Sequence, residues 1–143
     1  MFCENELEFL SDILRKNRIT AKVFSPSDSA EEAFDISLGG MIKKEATTLL
    51  DYLPVIEEKT VYKMTDGFLR SFIYFALSPD PYRILVVGPF LTERVSRDDV
   101  LGLFPQKKER FFSEYYASLP LIKNNGGISS VINAFCERLW LGW

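Results

Sequence analysis

A chain of 143 residues with 47% hydrophobic content suits one globular domain with a real core, and it excludes a disordered chain. A net charge of −3 excludes the basic field that would draw this chain alone to nucleic acid. The sequence holds no histidine, which removes the commonest metal ligand and the commonest general base near neutral pH.

Aromatic residues make up 14% of the chain, twelve of them Phe, which is more than a small core needs. That surplus points to an aromatic-lined cavity or to an interface. Cys3 and Cys136 do not make a disulfide framework. Met1–Glu6 lacks a basic leader, and no apolar run approaches the roughly 20 residues of a membrane span, so a cytoplasmic chain without membrane contact is expected.

The first predicted element is a helix over Glu4–Lys16, with Leu7, Leu10 and Leu14 recurring at three and four residues. Its acidic residues come early and Arg15-Lys16 come late, as the helix dipole favours, and Asn17 closes it. Ile19–Phe24 reads as a strand ended by Ser25-Pro26. Ser27–Gly40 reads as a loop. Ile42, Ala46, Leu49, Leu50 and Leu53 mark a helix of about three turns that Pro54 stops.

Three runs rich in β-branched and aromatic residues follow: Thr60–Thr65, Phe68–Leu77 and Arg83–Leu91. Asp66-Gly67 between the first two is a hairpin signal, because Gly takes positive φ without steric cost. Ser78-Pro79-Asp80-Pro81 forces the second strand to stop. The segment predicts a three-stranded antiparallel meander. The unbroken run Ile84-Leu85-Val86-Val87 places its third strand inside the sheet.

A turn centred on Asp66-Gly67 sets Lys63 opposite Arg70, Val61 opposite Phe72 and Met64 opposite Leu69. A turn over Pro79–Pro81 sets Phe75 by Leu85 and Tyr74 by Val86. One face then carries Met64, Leu69, Ile73, Phe75, Leu77, Leu85 and Val87, and takes helices. The other carries Val61, Lys63, Arg70, Phe72, Tyr74, Val86, Gly88 and Phe90, and is the expected ligand face. A one-residue slip would exchange the two faces. Like charges opposite one another destabilise a sheet, so Lys63 and Arg70 either splay into water or hold an anion between them. Gly88 leaves room for a ligand or for a close backbone approach, or else it marks a bulge before Pro89.

Ser96-Arg97-Asp98-Asp99 has the form of a capping box that opens a short helix to Phe104. A helix over Lys107–Ser118 carries Phe111, Phe112, Tyr115 and Tyr116 on one side. After Asn124–Gly127 comes a helix over Ile128–Leu141, with Ile128, Val131, Ile132, Phe135 and Leu139 as its buried stripe. Its other side, with Cys136 and Trp140, is expected to contact a partner subunit or the next domain, while Cys136 at mid-helix also reads as a small buried hydrophobe. Together with Phe111 and Tyr115, Trp140 forms the expected homodimer interface, since aromatics are enriched in interface cores. The terminal Trp140 and Trp143 read either as packed back on the core or as the end of a chain cut before a further domain, and both readings can hold.

The whole is an α+β domain, an antiparallel sheet with flanking helices, and its layout is compatible with PAS/GAF-like sensor scaffolds. No phosphate loop, metal-ligand spacing or catalytic triad is present, so no cofactor, no metal and no catalytic residue are expected. A small anionic or aromatic ligand at Lys63, Arg70, Phe72, Tyr74 and Gly88 is the expected binding partner.

The segments Thr60–Asp66, Phe72–Phe75, Val86–Phe90 and Tyr115–Pro120 together resemble the N-terminal region of a group of AraC-type transcriptional regulators from Firmicutes. In that group a TVY…TD strand leads to a GP strand and a YY.SLP helix end. The resemblance spans roughly residues 5–141. It implies a single regulatory domain over 1–143, sensing a ligand or dimerising, with a DNA-binding helix-turn-helix domain beyond residue 143. The expected function is non-enzymatic regulation, with a small enzyme as the remote alternative.

Overall fold

The computed structural model describes residues 4–38, 47–53, 56–79, 82–104, 109–123 and 126–141. In chain order these form α1 (Glu4–Lys16), β1 (Ala21–Phe24), α2 (Ala30–Phe34), α3 (Leu49–Tyr52), β2 (Tyr62–Thr65), β3 (Ser71–Pro79), β4 (Tyr82–Phe90), α4 (Arg97–Leu103), α5 (Glu109–Ser118) and α6 (Gly126–Leu141). The four strands make one antiparallel sheet in the order β1-β4-β3-β2, so the meander is β2-β3-β4 and β4 lies inside, as its apolar run required. The chain is therefore an α+β domain.

Helix α1 ends where predicted because three capping devices converge there. Asn17 Nδ2 donates to the Ile13 carbonyl at 2.9 Å. Arg18 takes the left-handed conformation, with φ of 63°. Arg18 N and Ile19 N then donate back to the carbonyls of Arg15 and Leu14, which closes a Schellman turn. Ile19 is buried beside Leu14, and the chain turns straight into β1.

The sheet is covered on both faces. On one side Ile73, Phe75, Leu77, Leu85 and Val87 pack against Leu10 and Leu14 of α1 and Ile132, Cys136, Leu139 and Trp140 of α6. On the other, Phe72, Tyr74, Ile84 and Val86 pack against Phe34 of α2 and Leu49 of α3. A third cluster, Leu38, Leu91, Val100, Phe112 and Tyr116, sits beneath α4 and α5. The capping box forms: Asp99 N donates to Ser96 Oγ at 3.1 Å, and Ser96 N donates to Asp99 Oδ2 at 2.9 Å. The bonds from Ser96 hold the Asp99 carboxyl below its ordinary pKa.

Phe75 pairs with Leu85 and Tyr74 with Val86, as the prolines imply. Four other expectations need correction. First, β2 pairs three positions away from the predicted register: Met64 faces Phe72, Lys63 faces Ile73 and Tyr62 faces Tyr74. An odd shift turns the strand over, so Val61 joins the aliphatic side, while Tyr62 and Met64 join the aromatic side. The cause is the loop. Asp66 Oδ1 accepts from Phe68 N and Arg70 N at 2.9 and 3.0 Å, and Leu69 takes φ of 66°. Asp66–Arg70 is thus a wide clamped loop and not a two-residue turn.

Second, Ser27–Gly40 contains α2, whose N-cap Ser29 accepts from Glu32 N at 3.1 Å. Third, the helix before Pro54 has its first turn at Leu49, because Thr47 and Thr48 are extended: Ala30 N donates to the Thr47 carbonyl, and Thr48 bridges Ser29. Ile42, Ala46 and Pro54 lie outside the described residues. Fourth, α6 is rotated from its predicted stripe. Cys136 and Trp140 are buried, Val131 is 44% exposed, and Ile128 and Phe135 are half-buried at the edge.

Phe90 also leaves the face assigned to it and joins the aliphatic cluster. The strand irregularity lies at Gly88, which has φ of 131° opposite the register break between Ser71 and Ile73. A Cβ there would stand 2.8 Å from the Ser71 carbonyl oxygen and 2.9 Å from the Phe72 ring. The close approach at Gly88 is therefore made by the neighbouring strand. Gly88→Ala should lose about 1–3 kcal/mol from backbone strain before any clash is counted. Urea denaturation checks this, and an unchanged midpoint would contradict it.

Candidate functional site

The polar centre of the domain is built on Arg70, whose side chain is only 1% exposed. The residue closes the β2–β3 loop, and its guanidinium runs inward to where three segments meet. From the loop, Asp66 Oδ2 accepts from Nε at 2.9 Å and lies 2.7 Å from Nη2. From the end of α2, the Phe34 carbonyl accepts from Nη2 at 3.1 Å, and Asp35 Oδ2 stands 3.7 Å from Nη1. From α5, the Tyr115 hydroxyl accepts from Nη1 at 2.9 Å. The guanidinium carbon also lies 5.4 Å from the centre of the Phe72 ring.

Burial alone would lower the Arg70 pKa, but Asp66 and Tyr115 outweigh it and the net shift is upward. The Tyr115 hydroxyl is pushed up by burial against the opposing pull of Arg70, so it stays a neutral phenol. Next to it Tyr116 donates to the Phe68 carbonyl at 2.6 Å, and burial pushes its pKa up to about 12. Two consecutive tyrosines of α5 thus fasten that helix to the middle and the end of one loop.

The predicted site residues do not assemble as one surface. Lys63 is exposed and faces Ile73, so the predicted Lys63–Arg70 pair does not exist. Phe72 and Tyr74 are buried, and the Phe34 ring meets them edge-on at 4.9 and 6.0 Å, with Tyr52 beside it. The chain's own α2 and α3 fill the aromatic face. Of the predicted interface residues, Phe111 is 44% exposed, Tyr115 is committed to Arg70, and Trp140 is buried with Nε1 donating to the Ala76 carbonyl at 2.8 Å. Trp140 covers the sheet.

Sequence reasoning missed Asp66 and Phe34 as members of this centre. Asp66 was legible only as a turn residue; the signal for more was an arginine four positions later in an otherwise apolar stretch. Cys136 is a buried free thiol whose pKa burial pushes up to about 11. At mildly alkaline pH the native chain should leave Cys136 unmodified by iodoacetamide, and denatured chain should be modified fully. Peptide mass mapping reads both; ready alkylation of native chain would contradict the packing of α6.

Among the described residues no group of three or more Cys, Asp or Glu is placed to hold a metal ion, and no helix is long and apolar enough to cross a membrane. Comparison with protein-family models, curated proteins and solved structures gave no match to this chain.

Proposed function

We propose that this chain is a non-enzymatic regulatory domain of an AraC-type cytoplasmic transcription regulator, with a PAS/GAF-like scaffold that senses a small ligand. The observation that carries the reading is the Arg70 centre. One buried cation ties the sheet hairpin, the cover of the aromatic face and helix α5 into a single joint. A ligand changes output only through different affinities for two arrangements of such an element. A joint of few, strong, directional bonds has discrete arrangements, as a regulatory element requires. The sequence resemblance over roughly residues 5–141 supports the same class, and DNA contact then belongs to a domain beyond residue 143.

A thermal-shift screen of metabolites tests this, because a ligand that binds only the native state raises Tm. At least one small anionic or aromatic metabolite should raise Tm in a dose-dependent way. A flat response across the library would contradict the sensor reading. The second reading is a homodimerisation module, favoured by Phe111 on α5 and Leu101 on α4, both large, apolar and partly exposed. Sedimentation velocity decides it: a clean monomer at high micromolar concentration removes it.

A further inference from the structure

A cleft of about 350 Å³ opens on the side of α5 away from the solvent-facing Phe111. Its walls come from three places: the end of β4 at Leu91, the loop before α4 at Arg94 and Val95, and the segment after α5 at Leu119 and Leu121. The walls are held together by backbone bonds. Leu91 N donates to the Pro120 carbonyl at 2.8 Å, and Ile122 N donates to the Leu91 carbonyl at 2.7 Å. Buried Tyr116 lies at its base and Ser113 on its helical side. The cleft is thus framed by ordered backbone and apolar side chains, with a hydroxyl and one cation.

Arg94 is exposed, and among the described residues it makes no ion pair or side-chain hydrogen bond. An unpaired guanidinium beside four aliphatic walls selects for charge and apolarity together. A guanidinium fork suits a carboxylate, whose two oxygens it meets in parallel. A single cation is a poor match for a phosphate dianion, which needs further donors. The size is within the range of small-molecule sites.

We infer that this cleft binds a small carboxylic acid with an apolar body, its carboxylate on Arg94 and its tail along Leu91, Val95 and Leu121. The inference rests on the regulatory reading above and names its ligand class. Its link to output is direct: Tyr116 at the base adjoins Tyr115, which holds Arg70. A tail that moves Tyr116 therefore moves the joint.

The test is a titration of the ¹⁵N-labelled 143-residue chain with octanoate, and with octanol as the uncharged probe. Octanoate should produce saturable shifts at Val95, Ala117, Leu119 and Leu121, with coupled shifts of the same midpoint in α5 and the Asp66–Arg70 loop. Arg94→Gln, an exposed change that leaves the core intact, should weaken octanoate roughly ten-fold or more and leave octanol unchanged. Ala117→Phe should narrow the cleft mouth and weaken both probes. Non-saturable shifts, shifts spread over the surface, or equal octanoate affinity in Arg94→Gln would overturn the assignment. A metabolite that raises Tm but maps elsewhere overturns this cleft while the regulatory reading stands. Octanoate bound here with a flat metabolite screen and no change at the Arg70 joint would uphold the cleft and overturn the regulatory reading.

Discussion

Asp66→Asn should lower the unfolding free energy by about 3–5 kcal/mol, because it strips a buried cation of its charge partner. The substitution keeps the side-chain oxygen that accepts from Phe68 N and Arg70 N, so the loop clamp persists, while the charge and the acceptor for Arg70 Nε and Nη2 are removed. Asp35 cannot substitute, since its carboxylate stands 3.7 Å from the guanidinium and is 37% exposed to water. Native domains are stable by only about 5–15 kcal/mol, so this loss takes a large share of the total. Arg70→Met, which removes the charge and keeps much of the volume, should cost less, and adding it to Asp66→Asn should recover part of the loss. Guanidinium denaturation of the three variants reads the cycle. An Asp66→Asn midpoint equal to that of the parent chain would mean that the ion pair is not a structural centre.

The second large effect belongs to the last helix. Trp140→Ala should cost about 3–5 kcal/mol, as for other large aromatic truncations in cores. The ring is 3% exposed within the α6–sheet cluster, and its Nε1 donates across to Ala76 of β3 at 2.8 Å. Trp140→Phe keeps most of the apolar surface and loses the hydrogen bond, so its cost should be nearer 1 kcal/mol. Both losses should be independent of protein concentration, because the contact lies within one chain. A loss that grows on dilution would return Trp140 to an interface role.

Much of the architecture was legible in local chemistry. The prolines around Asp80 set the β3–β4 register because the chain turns between them, although β3 runs on to Pro79, two residues past its predicted end. The Ser96–Asp99 spacing placed α4, and the dipole-matched charges placed α1. The β2 register was not legible, because Asp66-Gly67 reads as a tight turn. The Asp66 carboxylate instead accepts two N–H groups further on and widens the loop. Helix α2 was missed because five residues carry no period, and only its cap, Ser29, announces it.

The facing side of α6 was ambiguous for a different reason. Apolar residues occur around most of that helix, so period alone does not choose between Val131 and Cys136. Packing against α1 and β3 makes the choice. The candidate site suffered most. The pairing of Lys63 with Arg70 rested on the register that failed, and the aromatic face drew its own cover from Phe34, a residue in a stretch taken for a loop. What the sequence carried at this site was the composition, a cation amid aromatics. It did not carry which segments would meet there, because Phe34 and Tyr115 are distant from Arg70 along the chain.

The central claim is that ligand occupancy is felt at the Arg70 joint. Amide hydrogen exchange, followed by mass spectrometry with and without the most stabilising metabolite of the thermal screen, tests it most directly. The account predicts slower exchange in the Asp66–Arg70 loop and in α5 together, even where the ligand makes no contact. Protection limited to the residues that touch the ligand, with the loop and α5 exchanging as before, would contradict it.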